Sequence, residues 1–188
     1  EGAELSACAD VDEAAARRAA EQLGLGRHHL DYRDMLLSED LGAVVVALPH
    51  HLLRDASLDA IEHGLHVFVE KPMGLNRADG ERIRDAARGA GVTVMVGYCQ
   101  RYDEGRRTMK ALIERGAVGD IAVVNAGKGC PPLTGWLADP AMGGGELLWL
   151  GVHITDQVLW MVGSTPERVS GEIVWHPQTG ADQSAVFT

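Results

Sequence analysis

Hydrophobic and polar positions fall into two patterns along this chain, and they change over near residue 100. In the first half, short apolar runs alternate with amphipathic stretches. Ala3 to Ala9 reads as a strand that closes at Asp10, and Val11 to Leu23 as a helix stopped by Gly24. Tyr32 to Ser38 is a short helical turn. Ala43 to Leu48 is a continuous apolar run ended by Pro49, and Leu52 to His63 a helix with Gly64 after it. His66 to Glu70 is the third strand, ended by Lys71 and Pro72. Asn76 is a good N-cap for a helix to about Arg88, and Val92 to Val96 is the fourth strand. Strands that are apolar on both faces, alternating with helices, predict βαβ units and a parallel sheet.

The second half reads differently. Tyr102 to Arg115 is a helix, Ile121 to Ala126 a strand, and a loop with Pro131, Pro132, Trp136 and Pro140 leads to Gly143-Gly144-Gly145. Glu146 to Met161 is a long helix, Glu167 to Trp175 a strand, and Ala185 to Thr188 another strand-like run. The fold class expected is α/β: an incomplete Rossmann-type parallel sheet over residues 1–98, then a truncated α+β domain with an open, mostly antiparallel sheet over residues 99–188. The chain starts at Glu1 without Met and stops inside a strand-like run, so both ends are expected to be cut.

Composition narrows the partners. The net charge of -10 argues against nucleic acid or an anionic membrane. No apolar run is long enough to span a bilayer. Cys8, Cys99 and Cys130 are far apart, which suits reduced thiols of a cytoplasmic protein. The histidine pairs His28-His29 and His50-His51, and His63 with His66, have no spacing that builds a metal site. No metal is expected.

Three features carry chemistry. Glu70 and Lys71 close a buried strand, at the sheet edge where ligands bind in open α/β folds; a surface ion pair is the plainer alternative. Asp10, also at a strand end, suits the hydroxyls of an adenosine ribose and disfavours a 2′-phosphate; a helix cap is the alternative. Trp149, His153, Asp156 and Trp160 share one helix face, with Leu147, Leu150, Ile154, Val158 and Met161 on the other; a core histidine with a neighbouring ion pair is the alternative reading. Gly24-Leu25-Gly26 follows a helix and is not a phosphate loop. If Asp10 is the ribose acid, the glycine loop and a central strand belong roughly 20 residues upstream.

In order along the chain, Asp10, Pro49, Glu70-Lys71-Pro72, Gly97 to Asp103 and Gly143-Gly144-Gly145 through His153 to Asp156 resemble the Gfo/Idh/MocA oxidoreductases. The resemblance implies hydride transfer between NAD (NADP as second candidate) and a hydroxyl or keto carbon of a sugar, cyclitol or sugar derivative. It implies Lys71 and His153 as catalytic, a cis Lys71–Pro72 bond, and cofactor contacts from Asp10, Leu48, Pro49, His50, Glu70, Lys71 and Cys99. Gln100, Trp149 and Asp156 fall on the substrate side, and homo-oligomers are expected. Two departures stand out: Trp149 replaces an Asp that many family dehydrogenases pair with the histidine, and Leu53 replaces a frequent His. Trp149 also keeps open a second reading, a non-catalytic regulatory relative that binds NAD(P) or a sugar.

Overall fold

A computed structural model describes residues 2–188. Thirteen regular elements carry the fold. The first part runs β1 (Ala7–Ala9), α1 (Glu13–Leu23), β2 (Arg27–His29), α2 (Tyr32–Ser38), β3 (Ala43–Val46), α3 (His50–Glu62), β4 (His66–Val69), α4 (Arg77–Ala90) and β5 (Val94–Val96). The second part runs α5 (Glu104–Glu114), α6 (Val152–Val162), β6 (Gly171–Trp175) and β7 (Asp182–Phe187), with a π-helical turn at Leu147–Gly151 leading into α6.

All pairings of the first part are parallel and those of the second antiparallel, as the alternation of apolar runs and helices predicts. β3, β4 and β5 form one ladder in that order, and β1 pairs with β2 in another. Among the described residues no ladder joins β1 to β3. The core lies on the β3–β5 ladder. Val67 and Val69 of β4, Leu53, Ala56, Ala60 and Ile61 of α3, and Ile83 and Ala87 of α4 form one buried cluster. α3 and α4 therefore cover the middle strand, whose apolar run has no polar face.

Local signals set most helix ends. Asp12, not Asp10, caps α1 by accepting from the Ala14 and Ala15 amides, and Gly24 closes it at φ 68°. Asp10 is exposed and accepts the Asp12 amide at 2.9 Å. Asn76 caps α4 through the Asp79 amide, and Asp103 caps α5 through the Arg106 amide.

Three expectations are corrected. Residues 121–126 form no strand: Val123 is 75% exposed, and no neighbour supplies the ladder that a β run needs. The first strand is only Ala7–Ala9, because its partner β2 is three residues long. The apolar face of α6 and its π-turn is core only in part: Leu150 and Met161 are buried, as are His153 and Asp156 of the polar face, whereas Leu147, Ile154 and Val158 are half-exposed.

The glycine triplet is where the two parts touch. Gly143 lies at φ 76°, where a Cβ would overlap Leu75 and His50. A Cβ at Gly144 would overlap the Leu137 and Asp139 carbonyls, and one at Gly145 the Asp182 carboxylate. The triplet amides donate to Pro140, Asp139 and Leu137 carbonyls at 3.1, 2.8 and 2.9 Å. Asp182 of β7 accepts the Leu147 amide at 2.6 Å, fixing the start of the π-turn. Gly144→Ala should therefore destabilise by about 1–3 kcal/mol in urea unfolding, since the atoms it meets are backbone. Gly129→Ala, with open space around it, should leave the midpoint unchanged.

Candidate active site

The carboxyl ends of β3, β4 and β5 form one rim, and the residues expected to carry chemistry stand on or against it. β4 runs directly into Glu70 and Lys71, and the Lys71–Pro72 peptide is cis as expected. The turn after it is tied down: Asp79 accepts the Leu75 amide at 3.0 Å and pairs with Arg54 at 2.9 Å, and a Cβ at Gly74 would strike the Asp79 side chain. Lys71 is only 6% exposed, so the surface-pair alternative fails. Glu70 accepts the Lys71 backbone amide at 3.2 Å rather than pairing with its ammonium.

α6 comes down on this rim. Arg101, from the 3-10 turn Cys99–Tyr102, donates from Nε to the Asp156 carboxylate at 2.8 Å and from its terminal nitrogen to the second oxygen. Gln157 bonds the Gln100 side chain and accepts from Arg106 at 2.9 Å. Lys71 Nζ donates to the carbonyl of Trp149 at 2.7 Å, and the same ammonium lies 3.9 Å from the centre of the Trp149 indole. Asp156 and Gln100, expected at the substrate, are thus engaged inside the protein: they hold the helix to the strand ends.

His50 opens α3 immediately after Pro49 and is 2% exposed. Its Nδ1–H donates to the Gly143 carbonyl at 2.7 Å; a carbonyl only accepts, so the proton sits on Nδ1. Nε2 is left as a buried acceptor without a partner. The ring stands edge-on to Trp136, with centroids 4.7 Å apart, and 6.1 Å from Trp149. The imidazole therefore turns toward the second part of the chain. Burial pushes its pKa down, opposed by the Gly143 hydrogen bond.

His153 is 8% exposed and packs edge-on against Tyr98, with centroids 6.3 Å apart. Its Nδ1 is buried without a hydrogen-bond partner. The position four residues earlier holds Trp149, whose ring covers Lys71, so no carboxylate orients this imidazole. Burial first, then the Lys71 and Lys128 charges, push its pKa down to about 4. Burial also lowers Lys71, and Glu70 opposes that shift. At neutral pH the site holds a neutral histidine beside an ammonium. Asp10 and Cys99 are exposed, and Leu48 and Pro49 half-buried.

Reasoning from the sequence missed Tyr98, Arg101 and the side-chain direction of His50. No local pattern gives them these roles, because each is defined by a partner 55 to 93 residues away. Trp136, expected in the loop before the glycines, does join the site, edge-on to Trp149 at 6.4 Å. Among the described residues no group of His, Cys, Asp and Glu side chains is placed to hold a metal.

A parallel sheet with a lysine buried at its carboxyl rim, followed by a second part with an antiparallel hairpin, is the architecture of a dinucleotide-type oxidoreductase. Residues 1–98 match the family model described as oxidoreductase family, NAD-binding Rossmann fold, and residues 106–188 match the GFO/IDH/MocA C-terminal domain. The chain belongs to the Gfo/Idh/MocA family. It is 38% identical to inositol 2-dehydrogenase of Gluconacetobacter diazotrophicus, over 66% of this chain and 38% of that protein. It is 32% identical to 1,5-anhydro-D-fructose reductase of Ensifer adhaerens, over 78% and 45%. Its fold matches the NAD-binding protein from Listeria innocua with TM-score 0.84 and 30% identity, covering all of this chain and 56% of that one. The chain spans about half or less of the length of the curated relatives named here.

Two outcomes follow from this geometry. The Arg101–Asp156 pair should couple by about 1.5–3 kcal/mol in a double-mutant cycle of unfolding energies. For His153, the folded state resists protonation while the unfolded chain protonates near 6.5. Stability should therefore fall as pH drops from 6.5 toward 4, and level off below, at up to about 1.4 kcal/mol per pH unit. Urea unfolding of His153→Gln across that window should show a shallower fall.

Proposed function

We propose that the protein is an NAD(P)-dependent oxidoreductase that moves a hydride between the nicotinamide and a hydroxyl or keto carbon of a sugar, cyclitol or sugar derivative. The observation that carries this reading is the Lys71 ammonium buried near the His153 imidazole at the carboxyl rim of a parallel sheet. Residues 1–98 are assigned to the dinucleotide and residues 99–188 to the substrate.

The residues present fit such a cofactor. Asp10 stands exposed at a strand end, one oxygen engaged by the Asp12 amide, and suits ribose hydroxyls. It favours NAD over NADP. Leu48, Pro49 and the backbone of His50 line the rim, with Glu70, Lys71 and Cys99 beside them. When bound, the nicotinamide supplies the carbon that accepts or returns the hydride.

The chain's own groups handle the oxygen and its proton. Lys71 hydrogen-bonds the reacting oxygen and stabilises negative charge as it develops there. His153, neutral at pH 7, accepts the hydroxyl proton in oxidation and returns it in reduction. No carboxylate bonds its ring; Asp156, itself paired with Arg101, favours the imidazolium, but burial and the Lys71 and Lys128 charges outweigh it. That makes it a weak base and leaves more of the work to Lys71. Trp136 and Trp149 offer apolar faces on which a sugar ring can stack. The aromatic wall suits the apolar face of a neutral polyol.

No helix of the described residues is long and apolar enough to cross a membrane. With three free cysteines and a negative charge, the protein is assigned to the cytoplasm, as a homo-oligomer that binds neither nucleic acid nor lipid. Lys71→Ala in the whole protein should lower turnover by about 10²–10⁴-fold with the circular dichroism spectrum intact. Nicotinamide absorbance with a panel of sugars and cyclitols is the measurement. Near-normal turnover in that variant overturns the assignment, and no turnover of any substrate by the unaltered protein favours the regulatory reading.

A further inference from the structure

Lys71 presents an electrostatic problem that the rest of the site does not solve. A buried ammonium is costly unless something nearby carries opposing charge. Among the described residues no carboxylate lies within ion-pairing distance of Nζ. Glu70, its sequence neighbour, favours the charge only from beyond ion-pairing distance and points one oxygen at the backbone amide. The remaining groups that bear on Lys71 are Lys128, which repels it, and Cys99, which favours its charge only as a thiolate. His50 and His153 face it as neutral rings, each with a lowered affinity for protons.

What does touch Nζ comes from one residue. The Trp149 carbonyl accepts from it at 2.7 Å, and the Trp149 ring lies beneath it at 3.9 Å. The first contact depends on the π-turn. There the Val152 amide reaches back five residues to the Leu147 carbonyl, so the α-helical ladder is broken where Trp149 sits. The second depends on the indole being held. Trp136 stands edge-on to it at 88°, and His50, latched to Gly143, lies 6.1 Å from it and edge-on to Trp136. An indole face is the strongest of the side-chain π surfaces for a cation, and desolvation strengthens it.

We propose that Trp149 is the positioning residue of Lys71: its indole face and its own carbonyl together hold the ammonium in place, doing by π-electrons and a backbone dipole what a carboxylate would do by charge. The consequence is specific. A carboxylate would hold two or more of the three N–H donors in fixed directions. A carbonyl takes one, and a π face is tolerant of direction, so donors remain for an incoming oxygen. No net negative charge is introduced, so the cleft does not repel an oxygen acquiring charge. The role in turnover rests on the reading of Lys71 as the group that meets the reacting oxygen. The contact itself does not.

The test is a titration of Lys71 without cofactor or substrate. The protein has three lysines, Lys71, Lys110 and Lys128, so ε-13C-labelled lysine gives three side-chain signals, and Lys71→Arg assigns one of them. In Trp149→Leu the Lys71 midpoint should fall by roughly 0.4–1.5 pH units, the loss of one cation–π contact. In Trp149→Phe, which restores a π face, it should return most of the way. Lys110 should not move. In the unaltered protein, the Lys71 ε-methylene protons should resonate upfield, in the ring current of the indole. An unmoved midpoint in Trp149→Leu, an equal fall in both variants, or ε-protons at their ordinary position overturns the proposal. Because the last measurement needs no variant, a Trp149 substitution that fails to fold does not rescue it. A failure here leaves Lys71→Ala turnover as a separate question, and loss of turnover in that variant leaves this one open to refutation by the titration.

Discussion

The structure depends on one close approach: the chain at Gly143–Gly145 passes so near α3, Leu75 and Asp182 that no side chain fits. Backbone there can therefore serve as a hydrogen-bonding surface for the other part of the molecule. His50 uses it, donating Nδ1–H to the Gly143 carbonyl across 93 residues of sequence. Asp182 uses it from the other side by fixing the Leu147 amide. Between these two anchors the π-turn has little freedom, and its Trp149 carbonyl is delivered to Lys71. A bulkier residue in the triplet would separate the strand rim from α6, and with them Lys71 from His153.

Once the rim and the helix meet, desolvation governs the chemistry. His50 and His153 both lose proton affinity on burial, and both keep a ring nitrogen without a partner. Unsatisfied buried nitrogens cost stability, on the order of 1–3 kcal/mol each. The charged pair Arg101–Asp156 lies beside the cleft rather than in it, and pays for the docking of α6 with two charge-assisted hydrogen bonds. Around Lys71 the structure thus gathers imidazoles of lowered proton affinity and indoles, with Asp156 turned to Arg101 beside them.

Local patterns along the chain were enough to read the parallel strands β3, β4 and β5, whose runs are apolar throughout, although only one face is covered here: Val45, Phe68 and Met95 share the other, and Val45 is 71% exposed. The caps at Asn76 and the stops at Gly24 and Gly64 were legible for the same local reason. Residues 121–126 misled because strand propensity states what a segment tolerates, and a strand exists only where a second one lies alongside. β2 escaped notice for the converse reason: Arg27-His28-His29 has no apolar signature, and it is a strand only because β1 pairs with it. The faces of α6 were separated correctly by spacing, but spacing cannot say which face is buried. Here both bury residues, Leu150 and Met161 on one and His153 and Asp156 on the other, the latter because Tyr98 and Arg101 lie against them.

By itself the sequence determined the alternation of strand and helix, the placing of Lys71 at a strand end, and the family to which the ordered motifs belong. Those features are local, or are ordered along the chain, and need no knowledge of what lies opposite. Tertiary structure alone decided that Asp156 serves Arg101, that His50 faces the tryptophans, and that Trp149 lies under the Lys71 ammonium. Each of these is a contact between residues more than 50 positions apart. Its energy comes from excluding water between two surfaces, and that exclusion exists only after the chain has folded.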